Sequence, residues 1–516
     1  MDGVVCIDIG SVNAIVKFRQ NGYEEYLDFN NGETFLPIVG SIGKDMIFGK
    51  FAKLCMSSGS VITNLKQLIG KTFEDVVVRY RGSCLQKFNV TLENRDGELS
   101  IPVNEGEKKY YKPYDVLRAL FSYLFKSLME RCQMNITKTV ITIPTRFNDD
   151  QRNQYMKAAS EAGFQGVYLL NESVAATLAF MKRQNIFSSR TVLVFDFGGG
   201  SCDISILQVS PNASIRRSGG IITVEDYSIS ILATSELPKG GDDVDRELMD
   251  FVLRSFRYEN PRVQYISMED NKQDYYNLLS SVSQMKERGG GEVYLDGVIN
   301  NIEIMDKTSI ELTMDTINSV VKKYMNESMM LLKDTVARAF ASIPERSRFG
   351  QIHMVIPVGG MCNMKCVIEC LEEAFGRNVV SPLQPKTIFV DGGLMNAPNP
   401  CYRLKNFESI TSNVCFFGKD FRDVIIPKGT RLPFVKMKFF KPELLNQEWI
   451  DTKFYIDTGD GNVKAVPIRF RNRKEEDPFM ITVEVNSSFD ADIYVSFFST
   501  REKEHIQSFI LNYSLC

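Results

Sequence analysis

The apolar positions of this chain alternate between short β-type runs and longer helical stretches, and one arrangement occurs twice. Residues 4–18 (VVCIDIGSVNAIVKF) and 192–207 (VLVFDFGGGSCDISIL) each pass from an apolar run through Asp-X-Gly and a tight turn of small residues into a second apolar run. Each predicts a β-hairpin, and the repeat suggests two similar lobes that open at the same topological place, with room for a ligand between them. Between the repeats, KTVITIP at 138–144 reads as a buried strand. Asn148 or Asp149 can cap a helix that runs to Gly163, because a short side-chain oxygen accepts from the first free helical N–H groups. A second helix is expected after Asn171. From 244 to 290 and from 307 to 342 the spacing is mainly helical, interrupted by strands at EVYLDGVI (292–299) and IEI (302–304). IHMVIPVGG at 352–360 predicts another buried strand, ending in a diglycine and followed by a helix. This alternation points to an α/β core. The character changes near Pro398. From about residue 415 short β runs are separated by turn signals such as Pro427-Lys428-Gly429 and Asp457-Thr458-Gly459-Asp460-Gly461, so this part is expected to be all-β.

Composition narrows the function classes. The formal charge of -3 comes from nearly balanced acids and bases without a long basic block, which argues against direct binding of nucleic acid or an anionic membrane. No segment approaches the ~18 apolar residues of a membrane span, and the start, MDGVVCIDIG, lacks a basic region followed by a sustained apolar run, so a cytoplasmic protein is expected. Eleven cysteines, an odd number in no compact framework, fit reduced thiols. Sequons such as Asn171-Glu172-Ser173 then read as chance matches. Cys362, Cys366 and Cys370 are four apart and would stack on one helix face, as a soft-metal cluster requires. With only His353 and His505 available to complete a site, a packed helix face is the better reading.

Candidate chemistry lies in the two turns. Phosphate oxygens are bound by successive backbone N–H groups, and glycine lets the backbone approach them. Gly10-Ser11-Val12 follows Asp8, and Gly198-Gly199-Gly200-Ser201 follows Asp196. A nucleotide's Mg²⁺ takes oxygen ligands and keeps waters, so Asp8 and Asp196 facing each other across a cleft would hold it through water. One Asp-X-Gly turn alone is more often structural; the pairing carries the signal.

FDFGGGSCDISIL, IPTRFNDDQR (143–152), LLNESVAATLAF (169–180), GGDDVDRELM (240–249), IPVGGM (356–361) and NLKQLIGKTFED (64–75) resemble the ATPase-domain motifs of the 70-kDa heat-shock (DnaK-type) chaperone family. The resemblance is strong through about residue 396 and weaker beyond. It implies an actin-like, two-lobed nucleotide-binding domain over 1–396, a linker over 397–414 and, over 415–516, a truncated peptide-binding β sandwich without its helical lid. It also implies roles: Lys66 reaching the γ-phosphate, Glu172 orienting water or coupling hydrolysis to movement, and Asp8 and Asp196 holding the hydrated metal with Asp203 nearby. Gly240, Gly241, Lys286, Gly359 and Gly360 would complete the ATP or ADP site, and Pro144 and Arg152 would report nucleotide state. Read without the resemblance, Lys66 is a surface residue.

Departures from the family pattern bear on function. Ser11 and Ser201 replace threonines. Glu287 stands where an arginine is usual, Gly289-Gly290-Gly291 replaces a serine-rich stretch, Met361-Cys362-Asn363 replaces Ser-Thr-Arg, and Lys386 sits near a usual aspartate. Loss of a stacking guanidinium and of polar contacts predicts that phosphate binding survives while nucleotide affinity or base selectivity falls. Asn406–Thr411 keeps only two apolar positions of a leucine-rich linker, which predicts weaker docking. The resemblance implies an atypical chaperone ATPase that works with a J-domain co-chaperone, a nucleotide-exchange factor and unfolded or nascent polypeptide. The alternative is a nucleotide-bound, weakly or non-hydrolysing partner of a J-domain protein in a ribosome-associated chaperone complex. A small-molecule kinase on the same core fits the motifs less well.

Overall fold

The computed structural model describes residues 2–396 apart from short segments, the longest being 261–271 and 296–308, and beyond residue 396 it describes strands by their backbone pairing. The first hairpin is β1 (Asp2–Ile9) and β2 (Asn13–Gln20), extended by β3 (Tyr23–Tyr26). β4 (Asn135–Ile143) joins the other edge of β1 in parallel, and β5 (Val167–Asn171) joins β4, giving the order β5-β4-β1-β2-β3. Four helices of eight residues or more accompany this sheet among the described residues: α1 (Phe73–Tyr80), α2 (Pro113–Cys132), α3 (Asp149–Glu161) and α4 (Glu172–Arg183). The start of α3 is a capping box: the Asn148 side chain accepts from the Gln151 N–H at 2.9 Å, and the Gln151 side chain accepts from the Asn148 N–H at 3.0 Å.

The second half repeats the plan. β6 (Arg190–Phe197) and β7 (Cys202–Pro211) form the second hairpin, extended by β8 (Tyr227–Leu237). α5 (Gly241–Glu259), α6 (Lys272–Arg288), a two-stranded ribbon of β9 (Gly291–Tyr294) and β10 (Ser309–Leu312), and α7 (Met314–Ala339) follow. β11 (Met354–Val358) then pairs with β6 in parallel. The order β11-β6-β7-β8 matches β4-β1-β2-β3 in every strand sense. α8 (Lys365–Phe375) packs on the second half. α9 (Ile388–Asn396) returns to the first, lying against α4 and β1. One buried cluster unites side chains of both sheets, α4 and α9, among them Cys6, Val140, Val174, Val194, Ile356 and Leu394.

The fit of α9 is close. A Cβ at Gly392 would lie 1.9 Å from the Ala175 carbonyl oxygen, and one at Gly393 would lie 2.3 Å from Cys6 Sγ. Beside this diglycine, the fully buried Asp391 carboxylate receives Lys17 Nζ at 2.7 Å, an Arg183 guanidinium nitrogen at 2.7 Å and the Tyr26 hydroxyl at 3.0 Å.

Two sequence expectations need correction. The block from 307 was read as helical, but Ser309–Leu312 is a strand: Ile310 and Leu312 are buried on either side of an exposed Glu311, a period of two, and α7 begins only where the Thr313 hydroxyl accepts from the Thr316 N–H. Cys362 is not on the helix that carries Cys366 and Cys370; it lies in a 3₁₀ turn, Gly360–Asn363, that precedes α8. Cys362 and Cys366 are buried in the core of the second half, and Cys370 packs against it. The strand expected at 302–304 lies outside the described residues, as does most of 397–414. Of that linker, the strand Phe407–Glu408 pairs in parallel with Ser228–Ile229 of β8. Beyond it run two antiparallel four-stranded sheets. One pairs Arg422–Ile426, Asn413–Phe417, Trp449–Asp457 and Val463–Arg471; the other pairs Phe434–Phe440, Phe479–Val485, Asp490–Phe497 and Lys503–Ile510.

Candidate functional site

Both hairpin turns close on themselves, Gly10 N–H donating to the Asn13 carbonyl and Gly198 N–H to the Ser201 carbonyl, each at 3.0 Å. They meet at one cleft of about 920 Å³. Asp8, Gly10, Ser11 and Val12 line it from the first half, and Asp196, Gly198, Gly199, Gly200 and Ser201 from the second. Lys66, Glu172, Asp203, Gly241, Lys286, Gly359 and Gly360 also line it. Gly240 does not. It caps the N-terminus of α5, where a Cβ would stand 2.4 Å from the Gly199 carbonyl oxygen, so its role is close packing of helix on turn. The first N–H groups of α5 fix that turn: Gly241 donates to the Gly198 carbonyl at 3.0 Å and Asp242 to the Gly199 carbonyl at 2.8 Å. Because a trans peptide sets N–H opposite C=O, anchoring these carbonyls on α5 also fixes the direction of the turn's own N–H groups.

Lys66 corrects the reading of it as a surface residue. It sits in a 3₁₀ turn, Leu65–Gln67, reached through Asn64 at φ 53°, with its side chain 11% exposed. Its ammonium donates to Glu172 Oε1 at 2.6 Å. Glu172 is the first residue of α4, where the helix N-terminus favours a negative charge. Around this pair crowd Asp8, held by the Thr142 hydroxyl at 2.7 Å, and the cross-strand neighbours Asp196 and Asp203, the latter accepting from the Ser201 hydroxyl at 2.8 Å.

Burial, reinforced by the Asp8 charge, pushes the Glu172 carboxyl up to about 7 despite Lys66. Burial and Glu236 push Asp203 up to about 6, and burial with the neighbouring Glu172 and Asp203 charges raises Asp196 well above the carboxylate range. Burial also raises Asp8, against the pull of Lys66 and Thr142. Burial pulls the Lys66 ammonium down, but Glu172 and Asp8 outweigh it and hold it charged. The cluster as folded is short of positive charge.

That shortage suits the divalent cation that a nucleotide carries. Asp8 and Asp196 offer hard oxygen donors suited to a hydrated Mg²⁺, and the glycines let the two turns approach each other more closely than side chains would allow: a Cβ on Gly199 would clash with Val12 Cγ2 at 2.3 Å and one on Gly200 with Ser11 Oγ at 2.5 Å. The folded values of Glu172 and Asp203 lie above their ordinary ones, so their protonated forms stabilise the fold below the ordinary values, and that stabilisation is lost as pH rises through about 6 and 7. Mg-ADP should therefore expel protons at pH 6.5 and bind more tightly as pH rises toward 8. Calorimetry in buffers of different ionisation enthalpy measures this, and Asp203→Asn should shrink the proton count.

Gly359 is a second test. Its φ is +86°, and a Cβ there would lie 2.5 Å from the Phe197 carbonyl oxygen and 2.6 Å from Asp196 Oδ1. Gly359→Ala should lower stability by about 1–3 kcal/mol through backbone strain and weaken ADP binding by displacing Asp196, measured by thermal unfolding and titration.

Glu287, Gly289, Met361, Asn363 and Lys386 line the cleft, while the Lys286 ammonium is held by Asp245 at 2.7 Å and the Gly241 carbonyl at 3.3 Å. Pro144 lines a small crevice with Thr145, Arg146, Glu172, Asp196 and Asp203. Arg152, buried, donates to the Phe147 carbonyl at 3.1 Å and to Asn171 Oδ1 at 3.0 Å, which ties the start of α3 to the residue before Glu172. Sequence reasoning missed Thr142, Gln67, Lys87 and the pairing of Arg79 and Arg146 with Glu236, at 2.6 and 3.2 Å. These are isolated polar residues whose partners lie far along the chain.

Comparison with known proteins accords with this geometry. A family model described as Hsp70 protein matches residues 4–397. A mitochondrial-type heat shock protein 70 of Encephalitozoon hellem is 26% identical over 473 residues, covering 88% of this chain and 73% of that protein. The chaperone protein dnaK of Cyanidioschyzon merolae is 22% identical, covering 87% and 70%. The mitochondrial iron-sulfur cluster biogenesis chaperone of Saccharomyces cerevisiae is 23% identical, covering 88% and 68%. With the family's match running through both glycine turns, Lys66 and Glu172, this chain belongs to the Hsp70 protein family, whose nucleotide-binding part has the actin-like ATPase fold.

Proposed function

We propose that the chain is an atypical 70-kDa heat-shock-type chaperone in which residues 1–396 bind Mg-ATP and hydrolyse it slowly. Through residues 397–414 this is coupled to a β sandwich, residues 415–516, that binds unfolded or nascent polypeptide or a partner protein. The observation that carries the reading is the buried Lys66–Glu172 pair inside a cleft bounded by both glycine turns and their aspartates. Asp8 and Asp196 would hold the magnesium through water, and when bound it offsets charge on the phosphate oxygens. Lys66 adds a fixed positive charge beside the transferring group, where charge in a water-poor site is worth most. Glu172, with its carboxyl near neutrality, is suited to orient a water and take up its proton. The two antiparallel sheets beyond residue 412 support the sandwich, whose free edges could pair with an extended peptide.

Single-turnover hydrolysis of ATP, with and without a J-domain protein, tests the reading. Turnover stimulated by that protein and sensitive to Lys66→Ala is expected. Nucleotide binding without such turnover, together with recovery of one stoichiometric partner, would replace it with the ribosome-associated binder. A nucleotide-exchange factor should speed ADP release in the first case.

A further inference from the structure

Among the buried cations that stand outside the phosphate cluster, Lys87 spans the two halves. Lys87 has a side chain only 3% exposed, and its ammonium reaches across from the first half to the second, to Asp243 Oδ2 at 2.8 Å and to the Gly200 carbonyl at 3.3 Å. Gly200 belongs to the second glycine turn, and its carbonyl also accepts from Gln67 at 2.7 Å. Asp243 in turn accepts the Gly240 N–H at 2.8 Å, so the same carboxylate that holds Lys87 caps the helix on which the turn is anchored. Asn64 runs parallel to this bridge, donating to Asp242 at 2.9 Å and to the Lys87 carbonyl at 3.1 Å.

We infer that Lys87 is a positioning residue that latches the two halves over the phosphate site, setting the orientation of the Gly200–Ser201 peptide and thereby the rate at which bound nucleotide leaves. The inference rests on the nucleotide reading above. Three physical steps carry it. A desolvated ammonium has a strong preference for its partner, because parting from Asp243 leaves a buried charge uncompensated. Two donors from the first half on one carbonyl fix that peptide plane, and a trans peptide points the Ser201 N–H the opposite way. Opening the halves must break both contacts together, so the pair acts on release rather than on the chemical step. The separate clasp of Arg79 and Arg146 on Glu236 stays intact when Lys87 is replaced, so the latch can be loosened in a folded protein.

Release of fluorescent N-methylanthraniloyl-ADP with Mg²⁺ from the full chain, followed by stopped flow, tests this. Lys87→Met keeps the aliphatic bulk and removes the charge; Asp243→Asn removes the partner's charge. Each should release the nucleotide about ten-fold faster, and the double variant should be no faster than Asp243→Asn alone, which already breaks the Lys87 contact together with that to Arg246 at 3.1 Å. Lys87→Arg, which still reaches a carboxylate, should stay closer to the wild-type rate, which a mere packing role would not predict. Release from both single variants within about two-fold of wild type, in protein with unaltered circular dichroism, overturns the latch. Amide hydrogen exchange without nucleotide supplies an independent reading: Lys87→Met should speed exchange at Gly199–Ser201 and Asp242–Asp243, and unchanged exchange there also overturns it. A wild-type chain that does not bind the fluorescent nucleotide would instead sink the nucleotide reading, and the exchange experiment would still decide whether Lys87 holds the turn.

Discussion

Lys66→Ala should slow single-turnover ATP hydrolysis by about 10²- to 10³-fold, the loss typical of removing one preorganised positive donor from a site where charge develops. ADP should bind with a much smaller change, since the glycine turns and Asp8 and Asp196 remain. The variant also strands Glu172, whose carboxylate accepts from this ammonium at 2.6 Å. Without it the carboxyl rises further above about 7, and the residual rate should climb with pH over a higher range than in the wild type. Glu172→Gln placed on Lys66→Ala should therefore add little to the loss. Full additivity of the two would mean that they act separately, and an unchanged rate in Lys66→Ala would remove Lys66 from the reaction altogether.

Asp391→Asn should be the costliest conservative change away from the cleft. The carboxylate is fully buried against Lys17, Arg183 and Tyr26, and an amide in its place takes that counter-charge from Arg183 and from Lys17. Breaking one side of a buried ion pair costs about 3–5 kcal/mol, and the lower end applies because Lys17 keeps Glu24 at 3.0 Å. Urea unfolding can localise the effect. The single tryptophan, Trp449, belongs to a strand beyond residue 412, so its fluorescence follows the all-β region, whereas ellipticity at the helical band follows α1–α9. The helical transition should move to lower urea and the tryptophan transition should not. Equal shifts in both, or none, would contradict the assignment of Asp391 to the first half's core.

Strand and hairpin positions were legible because they depend on local periodicity and on turn residues whose conformations only small side chains adopt. β1, β2, β6 and β7 follow from the duplicated motif, and β11 from an uninterrupted apolar run ending in a diglycine. β10 was lost because four residues beside a long helix carry too little pattern to override it. The site was legible in two tiers. Asp8, Asp196 and the glycine turns could be argued from the residues alone; Lys66 and Glu172 needed the family resemblance, since a lysine in a 3₁₀ turn has no period to betray its burial. The contacts across the cleft, Lys87 with Asp243 and Arg79 with Glu236, join residues more than a hundred positions apart, and nothing local to either partner marks them.

The return of α9 to the first half has a mechanical outcome. The backbone passes from one half to the other after α4 and comes back before α9, so two strands of chain, well separated in sequence, join the same two bodies. A door hung on two pins swings about the line through both and cannot twist about either one. Cutting the chain at one passage, between residues 184 and 189, would remove one pin: the shared core keeps the protein whole, yet its jaws gain a swivel that the uncut chain resists.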